Sequence, residues 1–217
     1  KRGEPMYNSN KLLDAANKCN ADYVVMTDYP NEDYHKTIEK AKETADTLIK
    51  HNFKPFFCPQ SIEGDIEGLI KSFFWAKNDP RIEIIGFSIL AIPNAYGVLK
   101  DPLQRFLSRW RFICELNKRG FFQDNTKKLH LLGMLDGPNE IGLLKEFLSE
   151  FSSWDSSAAV WAGINGFMFD DSPTGMITGK YEREVYFDHD TADLTDIAFA
   201  TKNLKYIDGM IDEVLRR

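Results

Sequence analysis

Cysteine is scarce: three in 217 residues, Cys19, Cys58 and Cys114, far apart and without a CxxC pair. An odd, scattered set supports neither a disulfide framework nor a zinc ribbon, and it fits a reducing, cytoplasmic setting. No run approaches the roughly 18 consecutive apolar residues of a membrane span, and the opening KRGEPMYNSN lacks the apolar stretch of a signal peptide. A soluble protein with no membrane partner is expected. Linkers rich in Pro, Gly or Ser, internal repeats and low-complexity tracts are also missing, so one domain spanning 1–217 is expected. His35, His51 and His189 show no ligand spacing, and neither a metal nor a cofactor is expected.

Positive charge is short overall, with a net −6 that argues against a nucleic-acid partner, because cations neutralising phosphates supply most non-specific affinity. Its distribution argues the other way. Between Lys100 and Lys128 stand eight basic residues against Asp101, Glu115 and Asp124, a local +5, so the remainder carries −11. Phe106, Trp110, Phe112, Phe121 and Phe122 interleave these charges. A solvated helix followed by a charged loop is the simpler reading of the stretch, with several of the aromatics in the core.

What is present is a 43% apolar, 13% aromatic chain, enough to bury a real core. Apolar runs of strand length alternate with stretches of helical period. A helix over 9–19 precedes DYVVMT (22–27). Ile38, Ala41, Ala45 and Leu48 recur at helical spacing before PFFCP (55–59). A helix near 62–76, IEIIGFSI (82–89), a helix near 103–116 and LHLLGM (129–134) continue the pattern. Pro138 opens a helix carrying Ile141, Leu144, Phe147, Leu148 and Phe151. The chain closes on a helix over about 192–216, striped by Ile197, Ala200, Leu204, Ile207, Ile211 and Val214. Near-continuous apolar strands between helices indicate an α/β fold with a parallel sheet, either a TIM-type (β/α) barrel or an open doubly wound sheet. A full barrel takes about 250 residues, so the barrel reading expects N-terminal strands outside this segment.

In either architecture the site lies at the carboxyl ends of the strands. Asp28 follows VVMT, Gln60 follows PFFCP, Phe87 and Ser88 follow IEIIG, and SSW ends at Asp155. Each carboxylate has a bland alternative: Asp28 as a turn residue before Pro30, Asp155 as a cap through Ser156 and Ser157. Together, an Asp nucleophile with an Asp and a Gln facing a flat polar ligand suits substitution at an anomeric carbon through a covalent glycosyl-enzyme. His130, alone in an apolar strand, reads as a core residue or as a pocket wall, and the loop over 89–100 as a surface loop or a cover for the ligand.

At these residues the chain resembles the tRNA-guanine transglycosylase superfamily, most closely the bacteriophage relatives that insert 7-deazaguanines into DNA. The resemblance runs in order from Leu12 to Phe167. DYVVMTDYP looks like the strand whose terminal Asp reads the guanine edge, which implies that role for Asp28. FFCPQS is similar to the V-Q-G strand end and implies Gln60 as the second reader. IIGFS resembles the I-G-G strand whose backbone approaches the base, implying Gly86, Phe87 and Ser88, with Phe87 in place of the second glycine. HLLGM resembles L-M-G and implies Leu132 and Gly133 beside the base. SSWDSSAAV resembles F-D-C-V, whose Asp is the nucleophile, implying that role for Asp155.

The resemblance implies replacement of guanine in DNA by a 7-deazaguanine such as the 7-cyano form, after extrusion of the nucleotide from the stack. Arg105, Arg109, Arg111, Lys118 and Arg119 are then expected to contact the nucleic acid, and a homodimer fits the reading. The family's other catalytic Asp, in a D-S-G or D-N-G setting, has no match here and is expected upstream of Lys1. The zinc site C-x-C-x-x-C…His and the P-T-R after the nucleophile are also absent, which favours DNA over tRNA. The missing Asp keeps open an alternative, a catalytically silent nucleic-acid-binding subunit of the same fold. An unrelated parallel α/β enzyme is the third reading.

Overall fold

The computed structural model describes residues 9–134, 137–169 and 194–216. Leu135, Asp136 and His189 lie outside them. Contacts divide the chain into two compact units, one of residues 1–132 and 151–153, the other of residues 133–150 and 154–217.

In the first unit each apolar run becomes a strand and each helical stripe a helix. These are α1 (Ser9–Lys18), β1 (Tyr23–Val25), α2 (Tyr34–Lys50), β2 (Lys54–Phe57), α3 (Ile66–Asn78), β3 (Ile84–Ser88), α4 (Ala91–Ala95), α5 (Pro102–Lys118) and β4 (Lys128–Leu132). Aspartates start three of the helices: Asp33 accepts from the His35 N–H, Asp65 from that of Gly68, and Asp101 from that of Gln104. Each satisfies an orphan donor of the first turn, and Pro102 sits where its missing N–H costs nothing. The expected stripe of α2 holds, with Ile38, Ala41, Ala45 and Leu48 all buried.

The strands pair in parallel, β1 with β2, β2 with β3 and β3 with β4, in register from Tyr23↔Lys54 to Ser88↔Leu132. With β5 (Ser153–Trp154) the sheet order is β1-β2-β3-β4-β5. A doubly wound sheet reverses its strand order at a switch point, and no reversal occurs here. Right-handed crossovers that always step the same way put their helices on one side of the sheet. Phe57, Ile85, Phe87, Leu129 and Leu131 are fully buried. Phe73 of α3 meets Phe87 at 4.6 Å and Phe112 of α5 at 4.9 Å between ring centroids. These edge-to-face aromatics tie α3 and α5 to β3, and truncating Phe73 to alanine costs about 3–5 kcal/mol. The alternate residues Phe56, Cys58 and Ile84 cluster with Tyr23 and Leu132.

The second unit is helical: α6 (Pro138–Leu144), a 3-10 turn (Leu148–Glu150), α7 (Ala158–Ile164) and α8 (Leu194–Leu215). The helix expected from Pro138 through Phe151 stops at Leu144; Leu148 falls in the 3-10 turn, and Phe151 lies beyond it. On α8 the expected stripe is partly wrong. Ile207 is buried, but Ile197 and Leu204 are about half exposed, while the polar Asp196 and Asn203 face inward. Two contacts set that rotation. A side chain on Gly163 would lie 2.3 Å from the Ala200 nitrogen, so the helices touch backbone to backbone. Asn203 donates to the carbonyls of Ala159 (3.1 Å) and Phe167 (2.9 Å) and accepts from the Phe169 N–H. Polar satisfaction of those backbone groups overrides the apolar pattern.

Candidate functional site

A cavity of about 300 Å³, at the low end for small-molecule sites, lies at the carboxyl ends of β1, β2 and β3. Asp28, Gln60 and Ser88 all line it. Each arrives there because a strand ends just before it: Asp28 three residues after β1, Gln60 three after β2, and Ser88 as the last residue of β3. Gln60 Nε2 donates to Asp28 Oδ2 at 2.5 Å, which leaves Gln60 Oε1 as an acceptor. Burial pushes the Asp28 carboxyl above its ordinary value, and the bonds from Gln60 and from its own backbone partly oppose that rise. Ser88 Oγ accepts from the N–H groups of Leu90 (3.2 Å) and Ala91 (3.1 Å), so its own proton is free to be donated.

Sequence reasoning missed Asn31 and Asn94, which complete the polar wall. Asn31 has φ +60°, and its Oδ1 accepts from the Glu63 N–H at 3.0 Å and from Asn94 Nδ2 at 3.4 Å. Asn94 Nδ2 also donates to the Ser61 carbonyl at 3.1 Å, and its own carbonyl accepts from the Gly64 N–H at 3.1 Å. The loops after β1, β2 and β3 are thereby stitched together. The signal available for Asn31 was the pair Pro30-Asn31, since asparagine after proline marks tight turns; Asn94 lies within α4, where no turn signal points to it. The segment after Ile89, read as a loop, contains α4, and its Leu90, Ala91 and Leu99 form the apolar part of the wall.

Other expected site residues sit elsewhere. Gly86 has no room for a side chain: a Cβ would come 2.8 Å from Phe56 Cε2 and 3.1 Å from the Cys58 Sγ, so its glycine serves packing within the sheet. The Phe87 ring is fully buried among Phe73, Phe112, Phe121 and Phe151, which leaves only its backbone to offer a ligand. Leu132 packs on the Phe56, Cys58 and Ile84 cluster, and its carbonyl accepts from the Ile89 N–H. His130 bonds Ser153 Oγ at 2.8 Å and sets its ring edge-on to Phe56, a satisfied strand residue.

In the second unit, Asp155 directly follows β5 and is exposed. One carboxylate oxygen accepts from the Gly133 N–H at 3.0 Å, and its carbonyl accepts from the Met134 N–H at 2.8 Å. Gly133, expected beside the base, thus bonds the side chain of Asp155. Gly133 has φ +73°, where only glycine sits without strain.

Among the cations, Arg109 requires correction. It is 1% exposed and donates from Nη2 to the Leu132 carbonyl at 3.1 Å, so it cannot meet a phosphate at the surface. Arg105 is half-buried, and Arg111, Lys118 and Arg119 are exposed. Arg119 is engaged by Glu67 at 2.6 and 2.8 Å and by Glu115 at 2.8 Å. Among the described residues, no three His, Cys, Asp or Glu side chains are grouped to hold a metal ion, and no helix is long and apolar enough to cross a membrane.

Comparison of the chain with protein-family models, with curated proteins and with solved structures finds no match.

Proposed function

We propose that the chain is a large part of a TIM-type (β/α) barrel that exchanges guanine in DNA for a 7-deazaguanine. The barrel reading is supported by the unreversed strand order, which is that of consecutive barrel strands. The base-exchange reading rests chiefly on one observation: acceptors on Asp28 and Gln60 share a cavity with a free hydroxyl donor on Ser88. A guanine edge carries the complement, with donors at N1 and N2 and an acceptor at O6.

In this reading Asp28 and Gln60 hold the base in the plane set by their mutual hydrogen bond. The resemblance implies Asp155 as the nucleophile: its carboxylate would attack C1′ while the C1′–N9 bond breaks, the electron pair leaving with guanine, which takes up a proton. The incoming 7-deazaguanine gives up its N9 proton, attacks C1′, and displaces the Asp155 carboxylate, so configuration is retained. Gly133, donating to Asp155, orients the carboxylate for that attack. The acid and base that move the two protons are not assigned to a described residue.

The experiment is release of radiolabelled guanine from duplex DNA and from tRNA in the presence of 7-cyano-7-deazaguanine, alongside calorimetric titration of the free bases. Exchange on DNA with base binding that depends on Asp28 supports the reading. Exchange on tRNA alone would move the substrate to tRNA. Absence of base binding would sink it.

A further inference from the structure

A second cavity, of about 380 Å³, opens on the first unit between α3, the residue that ends α4 and the exposed side of α5. Ile66 and Ile70 supply its apolar floor. Its wall carries the Trp110 indole, 38% exposed, and the half-buried Tyr96 ring, on which the Arg111 guanidinium lies 4.7 Å from the centroid. A partly exposed tryptophan in the same wall as a guanidinium stacked on a phenol offers π-bearing groups on which a planar ligand can stack.

The charges around the cavity are three cations and two carboxylates. Both carboxylates, Glu67 and Glu115, hydrogen-bond Arg119, and Lys71 adds its charge near Glu67. Among the described residues, Arg111 donates only to the neutral Gln104, at 3.1 Å. Lys118 is exposed and makes no ion pair among the described residues. Arg111 and Lys118 therefore stand outside the ion pairs of Arg119, and the cavity lining carries one net positive charge in a chain whose net charge is −6. The ligand this fits is planar and anionic.

We propose that this cavity takes one nucleotide of a single-stranded nucleic acid, its base on Trp110 and its phosphates at Arg111 and Lys118. Single-stranded form follows from the stacking surface, because a base inside a duplex has no free face to give to an indole. The inference shares with the proposed function only the nucleic-acid partner. It concerns a different cavity and uses neither Asp28 nor Asp155.

The test is fluorescence anisotropy with a short oligodeoxythymidylate and with an abasic oligonucleotide of the same length and charge, each over a salt series. Wild type is expected to prefer the thymidylate. Trp110→Ala and Trp110→Leu, checked for folding by circular dichroism, should weaken that binding by about five- to a hundredfold and abolish the preference. Leucine keeps the cavity covered while removing the stack. Arg111→Gln with Lys118→Gln should weaken both oligonucleotides and flatten the slope of log K against log salt by about 1.4, at about 0.7 per phosphate contact. Equal affinity of wild type for the two oligonucleotides overturns the proposal, as does unchanged thymidylate binding in both Trp110 variants. Equal, Trp110-dependent binding of polyglutamate would also overturn it. Loss of base exchange with this binding intact would count against the proposed function alone.

Discussion

Gln60 Nε2 donates to Asp28 Oδ2 across 2.5 Å, joining residues 32 positions apart in the chain. The bond ties the loop after β2 to the loop after β1, and it fixes which way each group faces. The Gln60 amide gives one of its two N–H donors to the carboxylate and keeps Oε1 as an acceptor, while Asp28 keeps Oδ1.

The burial of Asp28 has a consequence for pH. Its folded carboxyl is raised above the ordinary 3.8, so the folded state holds its proton more tightly than the unfolded chain does. Stability from this group is fully present below the unfolded value and is lost as pH rises through the folded one. Asp28→Asn carries no charge to bury and its amide oxygen still accepts from Gln60. Urea unfolding at stepped pH should show the variant gaining on wild type as pH rises through that interval. A gap that does not vary with pH would contradict the burial argument.

The same substitution should weaken the binding of free guanine. An amide offers one acceptor and a mismatched donor to the N1 and N2 hydrogens, a loss of about 1–3 kcal/mol. Asp155→Asn should do the opposite, leaving base binding intact while exchange falls to background, because an amide is a far weaker nucleophile. Calorimetry and the labelled-guanine assay separate the two. Exchange surviving in Asp155→Asn removes it as the nucleophile.

Gly86→Ala should destabilise the first unit by about 1–3 kcal/mol, since the new methyl meets the Phe56 ring at 2.8 Å inside a packed sheet. Phe56→Leu in the same chain should recover part of that loss by removing the ring. Melting temperatures of the single and double variants decide it. Additive losses would mean that the glycine is required for another reason.

Arg109→Met should lower stability by about 1.5–3 kcal/mol through the lost charged hydrogen bond to the Leu132 carbonyl. The salt dependence of nucleic-acid binding should be unaffected, because the guanidinium is buried. A flattened salt slope with full stability would return Arg109 to the surface.

The succession of strands and helices was legible because each element writes its own period into a few adjacent residues. Ile38, Ala41, Ala45 and Leu48 mark the buried side of α2 without any partner in view. Strand ends were legible for the same reason, and they pointed to Asp28, Gln60 and Ser88, which line one cavity. The stripe of α8 misled because apolar spacing cannot foresee Asn203 satisfying the carbonyls of Ala159 and Phe167.

By itself, then, the sequence determined an α/β chain with polar groups at strand ends, since both follow from short-range periodicity and from where apolar runs stop. Only the tertiary structure decided that the strands stack in unreversed order, that Arg109 is inside while Arg111 and Lys118 are outside, and that Asn31 and Asn94 bind three loops together. Each of these depends on a neighbour a score or more residues away. Nothing in a local pattern specifies which distant carbonyl, ring or carboxylate will be there when the chain closes.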